Sequence, residues 1–113
     1  MPKFTPQQLD ELYHQTLAEF AASPEKWTSF LDTAARLYKY DFKSQVLIWS
    51  QRPDATACAE LPLWNERLHR RVNRGSNGIG IVDSSSNQPR IKYLFDISDT
   101  SPRDQSVAPP YIW

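Results

Sequence analysis

Apolar positions recur three and four residues apart through the first half of the chain and two apart near its end, so the pattern predicts helices first and strands second. Thr5-Pro6-Gln7-Gln8 reads as a capping box with proline at the first helical position. Leu9, Leu12, Tyr13, Leu17 and Phe20 then follow at helical spacing to about Ala22. Ser23-Pro24-Glu25 caps a second helix, in which Trp27, Phe30, Leu31, Ala34 and Tyr38 form one apolar stripe ending near Tyr40. Asp41 caps a third, running from Phe42 to about Gln51 and stopped by Arg52-Pro53, because proline disfavours helix in the residue before it. Its centre, Val46, Leu47, Ile48 and Trp49, is wholly apolar, so this helix is the one to be buried, and Trp49 belongs to the core. Residues 54–60 read as a loop, and Leu61-Pro62-Leu63-Trp64 opens a fourth helix to about Arg70.

Past a glycine turn at Gly75 and Gly78, the apolar run Ile79-Gly80-Ile81-Val82 reads as a strand, followed by a polar turn over 83–89 and a second strand over 90–98. In that second strand Ile91, Tyr93, Phe95 and Ile97 fall on one face, and Lys92, Leu94, Asp96 and Ser98 on the other, which is the alternation of a half-buried strand. An isolated hairpin is marginal, so it must pack on the helices, with 71–73 available as a third edge strand. The expected class is α+β: about four N-terminal helices packed on a small antiparallel hairpin or three-stranded sheet. Residues 1–98 are expected to form one domain. Residues 99–113 then make a proline-rich tail, or the start of a linker to a downstream domain.

Composition changes this picture little: 113 residues with 40% hydrophobic content suffice for one small core. Cys58 is the sole cysteine, and His14 and His69 lie far from it and from each other, so no zinc-type spacing exists and no structural metal is expected. No signal-like or membrane-length apolar run occurs, which points to a reducing cytoplasm and no membrane partner.

Charge changes it more. The 13 basic and 13 acidic side chains cancel, but residues 1–35, 36–92 and 93–113 carry −3, +5 and −2. A basic middle on a neutral chain can steer an anionic partner over about a Debye length, roughly 8–10 Å. At its centre lie four arginines within eight residues, Arg67, Arg70, Arg71 and Arg74, leading into Gly75-Ser76-Asn77-Gly78. A guanidinium fork suits phosphate, and closely spaced glycines let a polyanion approach peptide N–H groups. The expectation is nucleic-acid contact through Arg70, Arg71 and Arg74 first, with Arg67 one turn earlier.

Each of these residues also has an ordinary structural use. Basic side chains complement a helix C-terminus, and Arg67 has Glu66 beside it. Arg52 either contacts the strand or braces the 54–56 loop. Asn73, Ser76 and Asn77 either donate to phosphate or simply make the turn. Trp64 is a candidate stacking platform and equally a core residue; Tyr93 reads as packed inward, and Arg90 and Lys92 on the second strand are better contact candidates. For chemistry the inventory is poor. Cys58 amid alanines reads as packing, Asp10-Glu11 lie side by side on a helix, and no phosphate loop occurs, so neither an enzyme nor a small-molecule cofactor is expected.

The separated motifs Gln51-Arg52-Pro53-Asp54-Ala55-Thr56, Trp64, Arg71-Val72, Gly75-Ser76-Asn77-Gly78 and Ile79-Gly80-Ile81 occur in an order that resembles the N-terminal domain of ArdC-like antirestriction proteins. That domain also begins large proteins of bacterial conjugative elements. The likeness spans about half the chain, from Tyr40 to Thr100. It implies sequence-nonspecific binding of single-stranded DNA during transfer of a mobile genetic element. The metallopeptidase-like H-E-x-x-H half of those proteins has no counterpart here, which makes the chain an expected fragment of a longer polypeptide whose downstream domain would be a partner. The alternative is a protein-interaction domain docking on restriction or host factors, or on the rest of its own polypeptide, through the acidic first helix or the proline-rich tail. Convergence of Arg52, Arg67, Arg70, Arg71, Arg74 and Lys92 on one surface would favour DNA; scatter would remove its electrostatic basis.

Overall fold

In the computed structural model, which describes residues 4–83, 88 and 90–102, three helices precede a set of short antiparallel strands, and the class is α+β. Helix α1 (Pro6–Ala22) starts from the expected capping box: Gln8 N–H donates to Thr5 Oγ1 at 3.1 Å, and Thr5 N–H to Gln8 Oε1 at 2.9 Å. Ser23 serves two helices at once. Its N–H closes α1 on Glu19 O at 2.9 Å, while its Oγ accepts Lys26 N–H at 3.3 Å to open α2 (Pro24–Arg36).

Helix α2 is shorter than its apolar pattern suggests, and it is turned. Its core-facing positions are Phe30, Thr33 and the cap residue Leu37, spaced as one helical face. Trp27, Leu31 and Tyr38, members of the apolar stripe read from the sequence, stand 39%, 46% and 63% exposed. Thr33 is the reason. Its hydroxyl donates to Pro53 O at 2.6 Å, so a polar residue occupies the face that packs, and the apolar stripe lies beside that face. The helix stops where Gln45 Nε2 caps the Leu37 carbonyl at 3.0 Å.

Helix α3 (Phe42–Gln51), capped by Asp41 on Ser44 N–H at 2.9 Å, is the central element, with Val46, Leu47 and Ile48 fully enclosed. Trp49 packs with Phe20 and Phe30, and its indole N–H reaches Ser29 Oγ at 3.2 Å. No helix among the described residues is long and apolar enough to cross a membrane.

The stretch expected to be a plain loop contains strand β1 (Cys58–Ala59), and Ala55, Ala57, Cys58 and Ala59 are all buried. Further on come β2 (Arg70–Val72), β3 (Ile79–Asp83), β4 (Arg90–Asp96) and β5 (Thr100–Pro102), with a 3-10 turn at Ile97–Asp99. One sheet has the order β1-β4-β3; the expected hairpin is there, with Ile79 opposite Leu94 and Asp83 opposite Arg90. The third edge strand is a separate ribbon instead, β2 paired with β5, Arg71 opposite Ser101. Strand pairing thus continues past the expected boundary at 98 as far as Pro102, and the remainder of the expected tail, 103–113, lies outside the described residues.

Strand β4 is central, not half-exposed. Leu94, expected outside, packs with Leu9, Leu37, Leu47 and Ile48, and Phe95 packs with Trp64 and Ala59, so both faces of its C-terminal half are covered. The open edge of β3 is closed by a side chain. Gln51 Oε1 accepts Gly80 N–H and Gln51 Nε2 donates to Gly80 O, both at 2.8 Å, so the last residue of α3 pairs like a strand.

Candidate nucleic-acid interface

The segment following β1 was expected to be a helix reaching Arg70. It is one turn of π-helix, Leu63–Arg67, closed by Leu68 N–H on Leu63 O at 3.1 Å and broken by His69 at φ +51°. Trp64 explains its position. The ring is fully enclosed by Ala59, Phe95, Leu68, Val72 and Ile97, and its N–H donates to Phe95 O at 2.9 Å. The stacking role considered for Trp64 is thereby corrected: the residue anchors the segment to β4.

Because Arg70 opens a strand and does not end a helix, it and Arg71 point to opposite faces. Arg70 is buried, with Nε donating to Thr100 Oγ1 at 2.7 Å and Nη2 to Thr100 O at 3.2 Å. It ties β2 to β5, so its assignment as a leading phosphate contact is corrected as well. Arg71 is exposed, as are Arg67, Arg74 and Arg90. None of these four forms an ion pair among the described residues.

The turn beyond β2 is held from behind by Asp99, whose carbonyl accepts Asn73 N–H at 2.8 Å and the Ser76 hydroxyl at 3.5 Å. Asn73 Oδ1 in turn accepts the Ser101 hydroxyl at 2.6 Å, so Asn73 and Ser76 make the turn. The two glycines have separate structural reasons. Gly75 sits at φ +85°, and a Cβ on Gly78 would approach the Tyr93 side chain to 3.0 Å.

Arg52 is a brace. Nε donates to Asp54 Oδ1 at 3.1 Å, Nη1 to Asp99 Oδ2 at 2.7 Å and Nη2 to Ser98 Oγ at 2.6 Å; with all three nitrogens engaged, the reading of Arg52 as a phosphate contact gives way to the structural one. The bond to Asp99 holds its pKa above the ordinary guanidinium value. Lys92 lies 2.6 Å from Glu60 Oε1, which neutralises it as a phosphate contact. Of the cations expected to converge, Arg71 and Arg74 share one hollow of about 500 Å³ with Val72 and Asn73. A second hollow, about 330 Å³, is lined by Phe4, Gln51, Arg52, Asn77, Gly78 and Ile79. Residues of the one turn thus contribute to both.

Asp96 organises the ground beneath. It is buried; Oδ1 accepts Thr56 N–H at 2.8 Å and Ala57 N–H at 3.1 Å, and Oδ2 accepts Ser98 N–H at 3.1 Å and its hydroxyl at 2.6 Å. Burial pushes its carboxyl up, but the bonds from Ser98, Thr56 and Ala57 outweigh that and leave it below the usual range. Cys58 lies alongside, its thiol pushed well up by burial and by Asp96, the reverse of an activated nucleophile. Burial, with Cys58 nearby, also pushes the Tyr40 hydroxyl up to about 12, and that hydroxyl donates to Cys58 O at 2.6 Å. Among the described residues no group of three His, Cys, Asp or Glu side chains could hold a metal.

Phe4, Asp96 and Asp99 were not singled out from the sequence. Only Phe4 carried a signal there, as an aromatic next to the first cap. No protein-family model, curated protein or solved structure gives a significant match to the chain.

Proposed function

We propose that this chain is a sequence-nonspecific single-stranded-DNA-binding module, with the strand's phosphates held at the 71–74 edge of the β2–β5 ribbon. The observation that carries the reading is the pair Arg71, in β2, and Arg74, on the turn that Asp99 holds, both exposed and both lining one hollow of about 500 Å³. The held backbone keeps the two side chains on one hollow, and Arg67 and Arg90 add exposed positive charge elsewhere on a segment of net +5. The resemblance to the ArdC-like N-terminal domain supports single-stranded DNA as the polyanion and a mobile-element antirestriction or conjugation setting, and it rests on the order of the motifs alone. The electrostatic footing is narrower than six convergent cations, since Arg52, Arg70 and Lys92 have partners within the fold.

The test is fluorescence anisotropy with a labelled oligonucleotide at low salt. Binding that weakens steeply with salt and barely changes with base sequence is expected; with two phosphates neutralised, log affinity falls against log salt with a slope of about −1.4. Absence of binding at low salt overturns the reading. Binding by the double variant Arg71→Glu, Arg74→Glu at wild-type strength would turn attention to the protein-docking alternative, which the exposed Trp27 and Leu31, one turn apart on α2, favour.

A further inference from the structure

Resting on the strand-binding reading above, we infer that the second hollow, between the end of α3 and the 73–78 turn, is a pocket for one nucleobase of the bound strand. At about 330 Å³ it lies at the small end of ligand pockets and has room for a single planar heterocycle. One turn joins the two hollows, with Arg74 lining the first and Asn77 the second, so chain length alone keeps these two residues within about 11 Å of each other. A backbone held at the first can swing a base into the second, as single-strand binders do when they splay bases onto planar side chains.

The lining suits a ring. Phe4 is half-buried and fixed: its N–H donates to the Tyr93 hydroxyl at 3.2 Å, and its ring would stand 3.1 Å from a Cβ at Gly80, so it lies close against β3. Arg52 has Nε, Nη1 and Nη2 bonded to Asp54, Asp99 and Ser98 in the plane of the guanidinium. Three of its five N–H donors are thus committed, which holds the group in place, and its flat face is the part a base stacks on. Gln51 is committed to Gly80 and Leu47. Asn77 is exposed and, among the described residues, forms no hydrogen bond through its side chain; an amide offers both a donor and an acceptor to a base edge. One such amide meets every base with some complement, which fits weak sequence preference. Among the described residues no nucleophile or metal-ligating group lines the hollow.

The experiment compares an oligothymidylate of about 12 nucleotides with a sugar–phosphate strand of equal length lacking bases, both on the full chain by anisotropy. The wild type is expected to bind the base-bearing strand roughly five- to a hundredfold more tightly, the range of a single stacked base. Phe4→Leu, which keeps apolar bulk, and Asn77→Ala, at an exposed position, are expected to shrink that ratio without altering the salt slope; thermal unfolding of each variant shows whether the fold is retained. An unchanged ratio in both folded variants overturns the pocket and leaves the strand-binding reading standing. Failure of the wild type to bind either strand overturns the reading, and the pocket with it.

Discussion

Arg52 Nη1 lies 2.7 Å from Asp99 Oδ2, and the backbone carbonyl of that same Asp99 accepts the amide of Asn73 at 2.8 Å, so the end of the buried helix is linked through one acidic residue to the turn that carries Arg74. A cation near a proposed phosphate site can act as a contact or as a support. The two roles leave different traces.

As a support, Arg52 exerts its effect on the turn without neutralising a phosphate. Arg52→Gln is expected to weaken oligonucleotide binding while leaving the slope of log affinity against log salt at the wild-type value. A contacting residue would lower that slope by about 0.7 per phosphate. The same variant is expected to lose about 1–2 kcal/mol of stability, since a partly buried guanidinium and its carboxylate partner are separated. Salt titrations at fixed pH, paired with urea unfolding, read both; a reduced slope would return Arg52 to the contact set.

Arg70 and Arg71 are neighbours whose substitutions should do opposite things. Arg70→Ala removes the buried bonds to Thr100 and is expected to cost about 2 kcal/mol of stability. The double reversal Arg71→Glu, Arg74→Glu, on exposed side chains, is expected to shift stability by no more than about 0.5 kcal/mol while removing strand binding. Thermal unfolding and anisotropy on the two variants separate these outcomes. Loss of fold in the double variant would mean that the 71–74 edge is structural too.

The buried Cys58 thiol, its pKa raised by burial and by Asp96, is expected to resist alkylation by iodoacetamide in the native protein at mildly alkaline pH and to react freely in urea. Mass spectrometry of the intact chain before and after unfolding measures this. Rapid native modification would show that the β1 edge opens readily.

The parts of this fold that could be read in advance are those set by near neighbours. The Thr5–Gln8 box, the Ser23 and Asp41 caps and the stop at Arg52-Pro53 are all decided within four residues of chain. The Ile79–Leu94 hairpin carries its own period of two. The β2–β5 ribbon carries no such signal: each strand has three residues, and Arg71 meets Ser101 thirty residues away. An edge strand over 71–73 could be offered, but neither its partner nor the inclusion of Arg70 could, and that misdirected the site as well, because a strand at Arg70 turns its side chain inward. On α2 the error had another cause. Hydrophobicity favoured Trp27 and Leu31, whereas the packed face includes Thr33, whose polarity is satisfied by a carbonyl twenty residues away. The arginines that carry the proposed site could be picked out as a cluster; which of them face solvent depended on pairings that leave no local trace.

Asp96 gives the pH dependence its sign. Its carboxyl is held below the usual range in the folded state, burial being outweighed by bonds from Ser98, Thr56 and Ala57, whereas the unfolded chain has an ordinary value near 3.9. The unfolded state therefore binds the proton first as pH falls, so this contribution is complete above about pH 4 and is lost as pH drops through the depressed folded value. Asp96→Asn keeps the shape but replaces a charge-accepting oxygen with an amide that must donate toward the Thr56 and Ala57 N–H groups or the Ser98 hydroxyl. It is expected to cost about 2–4 kcal/mol at neutral pH. At pH values below the folded pKa the gap between wild type and variant should narrow, because the wild-type carboxyl is then protonated. Urea unfolding at a series of pH values from neutral to strongly acid measures both curves. Parallel curves, with the gap unchanged at low pH, would show that Asp96 does not hold its charge through these bonds.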